Sequence, residues 1–161
     1  MDVGYQGDLP VTMSQSLPHT GNATSATRQM GVKSIAHIPE VLNEHINTAY
    51  PENLCLVSVV MADGYAQVSQ GGPVIVLDGD TLGMWDRGHG GTHDAVTDGT
   101  KVTVYYRNPA LGARGGNGTL PAGGIARFYG TAEVHAEDGE LRERIWNEMI
   151  EAERKGQPAN K

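Results

Sequence analysis

Residues 68–94 read VSQGGPVIVLDGDTLGMWDRGHGGTHD, and the fold turns on how this stretch is read. Two short apolar runs, residues 73–77 and 81–85, are separated by Asp78-Gly79-Asp80 and flanked by glycine-rich polar segments. Val, Ile, Thr and Trp favour a pleated surface, and Asp-Gly supplies the positive φ of a tight turn, so the pattern predicts a β-hairpin. Chemistry is expected at its two ends. One end offers the hydroxyl, amide and unshielded backbone N–H groups of Ser69-Gln70-Gly71-Gly72. The other presents Trp85-Asp86-Arg87 and then Gly88-His89-Gly90-Gly91-Thr92-His93-Asp94. Ser69 and Thr92 as hydrogen-bond donors, Arg87 as charge and Trp85 as a planar wall would together cradle a phosphate and an aromatic ring system. A Rossmann fingerprint is excluded here, because His93 stands where G-x-G-x-x-G requires its last glycine.

Upstream of the hairpin, residues 54–61 (LCLVSVVM) form a nearly continuous apolar run bounded by Pro51 and by Ala62-Asp63-Gly64. Its length and β-branched content predict a strand buried on both faces. Asp63-Gly64 turns the chain into a second strand at residues 65–69, so that with the hairpin four consecutive antiparallel strands are expected. Before them, Pro39 suits a first helical turn, and Val41, Leu42, Ile46 and Ala49 recur on one face, predicting a helix over residues 39–49 that stops before Pro51. Residues 1–33 are rich in Ser, Thr, Gly, Gln and Asn without an apolar period. They are expected to be an arm or tail, separate from a single domain over residues 34–161. Composition leaves open whether the arm wraps a partner subunit.

Downstream, residues 92–98 predict one or two helical turns. Residues 101–107 (KVTVYYR) alternate, with Val102, Val104 and Tyr106 on one side and Thr103, Tyr105 and Arg107 on the other. Residues 108–124 are a long glycine-rich connection of the kind used for lids or binding loops. A strand follows over residues 125–134, with Gly130 as an expected bulge or bend. After Asp138-Gly139, Leu141, Ile145, Trp146, Met149 and Ile150 form one helical stripe, with Glu140/Arg144 and Glu151/Lys155 as exposed i,i+4 pairs. The helix is expected to brace the sheet. The fold class is therefore mainly β: a six-stranded antiparallel barrel with helices before and after its strands.

At 161 residues the chain is long enough for one domain with a core of its own. Nineteen acidic against twelve basic residues, a formal charge of −7, argue against a phosphate-tracking surface and so against nucleic-acid binding. The lone Cys55 sits in an apolar run and is expected to be a buried hydrophobe in a reducing compartment. No apolar stretch is long enough to span a bilayer, and the N-terminus lacks a basic and an apolar signal region. A cytoplasmic protein without a membrane partner is expected.

Two further constellations carry residues of possible chemical use. His89 and His93, four apart with Asp86 and Asp94 nearby, have the spacing of a helical metal pair, but Gly90 and Gly91 interrupt a helix there, so no metal is expected and either histidine is a candidate general acid or base. Tyr106, Arg107, Arg114 and Arg127 flank the long glycine loop and are candidates for binding an anionic substrate. No G-x-S-x-G elbow supports a serine nucleophile.

The ordered series of the residue 54–61 strand, Asp63-Gly64, Val68-Ser69, Val76-Leu77-Asp78 with Asp80-Thr81-Leu82, Trp85-Asp86-Arg87, Thr92, residues 102–109 and Arg127-Phe128-Tyr129-Gly130-Thr131-Ala132 before a terminal helix resembles the pyridoxamine 5′-phosphate oxidase-like flavin-binding split-barrel family. The resemblance covers roughly residues 40–155. It implies a split barrel, a homodimer with FMN sites at the subunit interface, and oxidation or reduction of a small molecule. It assigns FMN contacts to Val68, Ser69, Gln70, Gly71, Trp85, Asp86, Arg87, Thr92 and His93. Where relatives commonly read Ser-Pro-Lys-Gly this chain has Ser69-Gln70-Gly71-Gly72, and where they place Arg or Lys just before the threonine it has Gly90 and Gly91. Each absence removes a charge-assisted bond to the phosphate, worth roughly 1.5–3 kcal/mol.

The expected function is an FMN-dependent oxidoreductase acting on a small aromatic or carbonyl-containing molecule. The alternatives are a cofactor-independent lyase or isomerase using His93 or His89, and a non-catalytic protein binding flavin, haem or another planar ligand; F420 is a further cofactor to compare.

Overall fold

The computed structural model describes residues 5–10, 37–71, 73–86, 90–135 and 139–155. Its strands are β1 (Tyr5–Pro10), β2 (Leu56–Val60), β3 (Ala66–Gln70), β4 (Val74–Val76), β5 (Thr81–Asp86), β6 (Lys101–Arg107), β7 (Ile125–Thr131) and β8 (Glu133–His135). Four short helices accompany them: α1 (Val41–Asn47), α2 (Gly91–Ala95), α3 (Glu140–Glu148) and α4 (Glu151–Lys155). Among the described residues the protein is mainly β, and every pairing between these strands is antiparallel.

The strands make two four-stranded sheets, β4-β5-β1-β8 and β3-β2-β6-β7, and no closed barrel forms among the described residues. All six expected strands are present, but they are not six strands of one surface. The expected run of four consecutive antiparallel strands breaks between β3 and β4, which lie in different sheets. Gly71 still bonds to Cys55 O at 2.9 Å, whereas Pro73 has no N–H to continue a ladder and offers only its carbonyl, to Trp85 N at 3.1 Å. A second crossing follows β7. The bend falls at Ala132 rather than at Gly130, which stays in register opposite Val102. Ala132 N–H bonds to Thr100 O and its carbonyl accepts from Gly99 N, both at 2.8 Å, and β8 then pairs with β1 in the other sheet. Residues 5–10, inside the segment expected to be an arm, are thus a strand between β5 and β8; the rest of residues 1–33 lies outside the described residues.

The hairpin of β4 and β5 forms as expected, by a different turn. Gly79 is not among the positive-φ glycines; a Cβ there would lie 1.9 Å from the His37 ring, and Asp78 Oδ1 accepts from Asp80 N at 2.9 Å. The exposed His37 side chain lies against Gly79. The turn before β3 does use the left-handed region, at Gly64 with φ 86°.

Two apolar clusters hold the layers together. Val57, Val59, Val102, Val104, Tyr106 and Phe128 of one sheet meet Val74, Val76 and Leu82 of the other, with Ile38, Leu42 and Ile46 of the α1 region in the same cluster. Each fully buried aliphatic side chain contributes roughly 1.5–3 kcal/mol. On the opposite face of the β4–β5 hairpin, Ile75, Leu77 and Trp85 pack against Ile145 and Met149. The terminal helix therefore braces the sheet, as its stripe predicted, but it is broken. Met149 has extended backbone (ψ 138°), and a separate helix, α4, starts at Glu151.

The outer face of β2 corrects another expectation. The strand alternates rather than being buried on both sides: Val57 and Val59 are core, while Val60 is 71% exposed. In α1, likewise, Leu42 and Ile46 are buried but Val41 is exposed. Residues 108–124 fold back on themselves, with Leu111 and Leu120 buried and Asn117 N bonding to Ala110 O at 2.9 Å.

Candidate functional site

The crossing from β3 to β4 borders a cavity of about 350 Å³ between the end of β3, the end of β5, α2 and α4. Ser69, Gln70 and Gly71 enter it from β3 and the crossing that follows; Trp85 and Asp86 come from β5; Gly90, Gly91, Thr92 and His93 come from the start of α2; Ala152 and Glu153 come from α4. Tyr50, Leu54, Val57, Pro73 and Met84 supply apolar wall.

Three local arrangements set its chemistry. Alternation along β3 turns Ser69 to the inner side, where its Oγ lies 2.6 Å from Thr92 Oγ1 and accepts a bond from Gln67 Nε2 at 3.4 Å. The two hydroxyls share one hydrogen bond and keep further donor and acceptor capacity. His93, one residue on in α2, places Nδ1 3.2 Å from Asp86 Oδ2, with both side chains at least four-fifths buried. With Nδ1–H donating to the carboxylate, the ring keeps Nε2 as its acceptor, the arrangement that makes an imidazole a proton acceptor. Gly71 is fixed by packing: a Cβ there would lie 2.8 Å from Val57 Cγ2.

Glu153 completes the wall. It is 5% exposed, and burial pushes its carboxyl up to about 7; among the described residues no hydrogen bond or charge offsets the desolvation. Cys55, buried nearby, is pushed up to about 12, first by burial and then by the Glu153 charge, so its thiol is no nucleophile at neutral pH. The sequence signal for Glu153 was weak. It sits in a charged segment, EAERK, that reads as a solvated helical end, and only the break at Met149 turns it inward.

Most residues expected to contact a cofactor meet here: Ser69, Gln70, Gly71, Trp85, Asp86, Thr92 and His93 all line the cavity. Trp85 does so with little of its surface, since Arg142 lies over its ring at 4.7 Å and Trp146 tilts against it at 5.3 Å. Val68 is not brought in; it pairs with Ser58 and is 56% exposed on the outer face of its sheet. Arg87 and His89 lie outside the described residues.

The expected substrate contacts are elsewhere. Tyr106 is fully buried in the core, where its hydroxyl donates to His45 O at 3.2 Å and accepts from Asn108 Nδ2 at 3.3 Å. Arg107, Arg114 and Arg127 are exposed, and Arg127 stacks over Tyr105 at 5.4 Å. None of the four lines the cavity. Among the described residues no group of three or more His, Cys, Asp or Glu side chains could hold a metal ion, and no helix is long and apolar enough to cross a membrane. No family model, curated protein or solved structure matches the chain.

Proposed function

We propose that this protein is an FMN-dependent oxidoreductase of the split-barrel type, acting on a small aromatic or carbonyl-containing molecule. One observation carries the reading: seven of the residues to which the resemblance assigns FMN contacts, drawn from three separate segments, line a single cavity of about 350 Å³. That volume lies within the range of ligand pockets, about 300–1,000 Å³. The two places where the chain leaves one sheet for the other, after β3 and after β7, support the split-barrel architecture.

The donor set suits the uncharged parts of the cofactor. Ser69, Thr92 and Gln70 offer hydroxyl and amide bonds to ring and ribityl oxygens, while His93, oriented by Asp86, is placed to accept or return a proton. FMN, when bound, supplies the hydride or electron transfer; the protein binds, orients and excludes water. No Lys or Arg lines the cavity among the described residues, so this proposal gives the charge that meets the phosphate to Arg87, one of the residues to which the resemblance assigns an FMN contact. A homodimer belongs to the same proposal. Val60, Val68 and Tyr129, on three strands of one sheet, are 71%, 56% and 43% exposed, and a second copy would cover them. A cytoplasmic location goes with the proposal.

The test is the visible spectrum of the purified protein, followed by titration with FMN, F420 and haemin. Flavin bands, or saturable uptake of FMN in preference to the other two, are expected; saturation by F420 or haemin alone would overturn the cofactor assignment. The His93–Asp86 pair favours a second reading, acid–base catalysis by a lyase or isomerase without flavin. Turnover in flavin-free protein that is lost in His93→Ala would establish it instead.

A further inference from the structure

A buried carboxyl group normally finds a partner, because removing it from water without one is costly. Glu153 is 5% exposed and lines the cavity; its carboxyl oxygens are open to that cavity and have neither hydrogen bond nor ion pair among the described residues. Its backbone is held in place, since Glu153 N and Arg154 N both bond to Ile150 O at 3.1 Å, so the side chain is presented from a fixed turn of α4. Elsewhere in the wall Ser69 and Thr92 are bonded to each other and Asp86 to His93, while Gln70 adds an amide. The partner that Glu153 lacks within the protein is therefore to be sought on the ligand.

The carboxyl's chemistry narrows what that partner is. In its acid form, which burial preserves up to about pH 7, it presents one O–H donor beside one carbonyl acceptor. The complementary edge carries a C=O next to an N–H, as in a cyclic amide or imide. We infer that Glu153 is the residue by which this cavity recognises an imide edge, pairing with the N–H and an adjacent carbonyl of its ligand. This rests on the FMN reading, under which the edge is the pyrimidine part of the flavin, with its N3–H between two carbonyls.

The test is equilibrium binding to the full chain, with FMN and its N3-methyl derivative, which keeps the phosphate and ring but has no N3–H. Wild-type protein is expected to bind N3-methyl-FMN about tenfold more weakly than FMN, the loss expected for one or two hydrogen bonds. Glu153→Gln, whose amide offers the same donor and acceptor, should keep FMN affinity within about threefold. Glu153→Met, of similar size and without hydrogen bonds, should bind FMN about tenfold more weakly and no longer distinguish the two flavins. Equal wild-type affinity for FMN and N3-methyl-FMN overturns the inference while leaving the FMN reading intact, and needs no variant to fold. Failure of both flavins to bind the wild-type protein overturns both.

Discussion

Glu153 is a carboxyl group that folding makes harder to ionise, from an ordinary value of 4.5 to about 7. The native state therefore holds this proton more tightly than the unfolded chain. The stability that goes with it is fully present below about pH 4.5 and is lost as pH rises through about 7. Glu153→Gln has no such loss. Its stability relative to wild type should rise between pH 4.5 and 7 and level off at a gain on the order of 1–3 kcal/mol by pH 8, measured by urea unfolding. A pH-independent difference would mean that the carboxyl is solvated. The Ser69–Thr92 hydroxyl pair, 2.6 Å apart, makes a second prediction at this scale. A double-mutant cycle of Ser69→Ala and Thr92→Val should give a coupling of about 1 kcal/mol in unfolding free energy. Additive effects would show that the two hydroxyls do not act on each other. Ser69, Thr92, Trp85 and Asp86 were legible as a group in the sequence because they flank a hairpin whose glycines cannot serve as core. Glu153 was not, since a lone Glu between Ala and Arg reads as one more solvated charge.

At the scale of elements, β6 is the best-read part of the chain. Strict alternation over KVTVYYR decides both its pairing and its inner face, and Val102, Val104 and Tyr106 are buried as that alternation requires. The same alternation makes Tyr106 a core residue that does not line the cavity. β3 and β4 were harder, because a strand's sequence carries no label for the sheet it joins; hydrogen bonds lost at Pro73 decide that, and they depend on partners distant in sequence. Helix α3 approaches β5 at Gly83, where a Cβ would lie 2.8 Å from Ile145 Cδ1 and 2.9 Å from Leu77 Cδ1. Gly83→Ala should overpack this contact, costing about 1–3 kcal/mol and lowering the thermal midpoint by several degrees. Pairing it with Ile145→Val should restore part of the loss. An unchanged midpoint for Gly83→Ala would show that helix and strand are not in tight contact.

Among the described residues the molecule is two antiparallel sheets sharing a core, with a helix on the far side of one and exposed apolar side chains on the outer face of the other. Continuous apolar runs suggested a closed barrel. What closes instead is the core between the sheets, while the outer side of β2, β3 and β7 keeps Val60, Val68 and Tyr129 in water. The dimer proposed to cover that face predicts twice the chain mass in solution by light scattering, and Val68→Lys combined with Tyr129→Lys should shift it to the monomer; a wild-type monomer would contradict it. The residues of one chain already line the cavity from β3, β5, α2 and α4. Ala152 is exposed on α4 yet lines it, so Ala152→Trp fills the space without entering the core. Calorimetric titration with FMN of the wild-type protein and of Ala152→Trp tests the assignment most directly. The account predicts saturation at one FMN per wild-type chain and its loss in the folded Ala152→Trp variant; no binding to wild type, or equal binding to both, would contradict it.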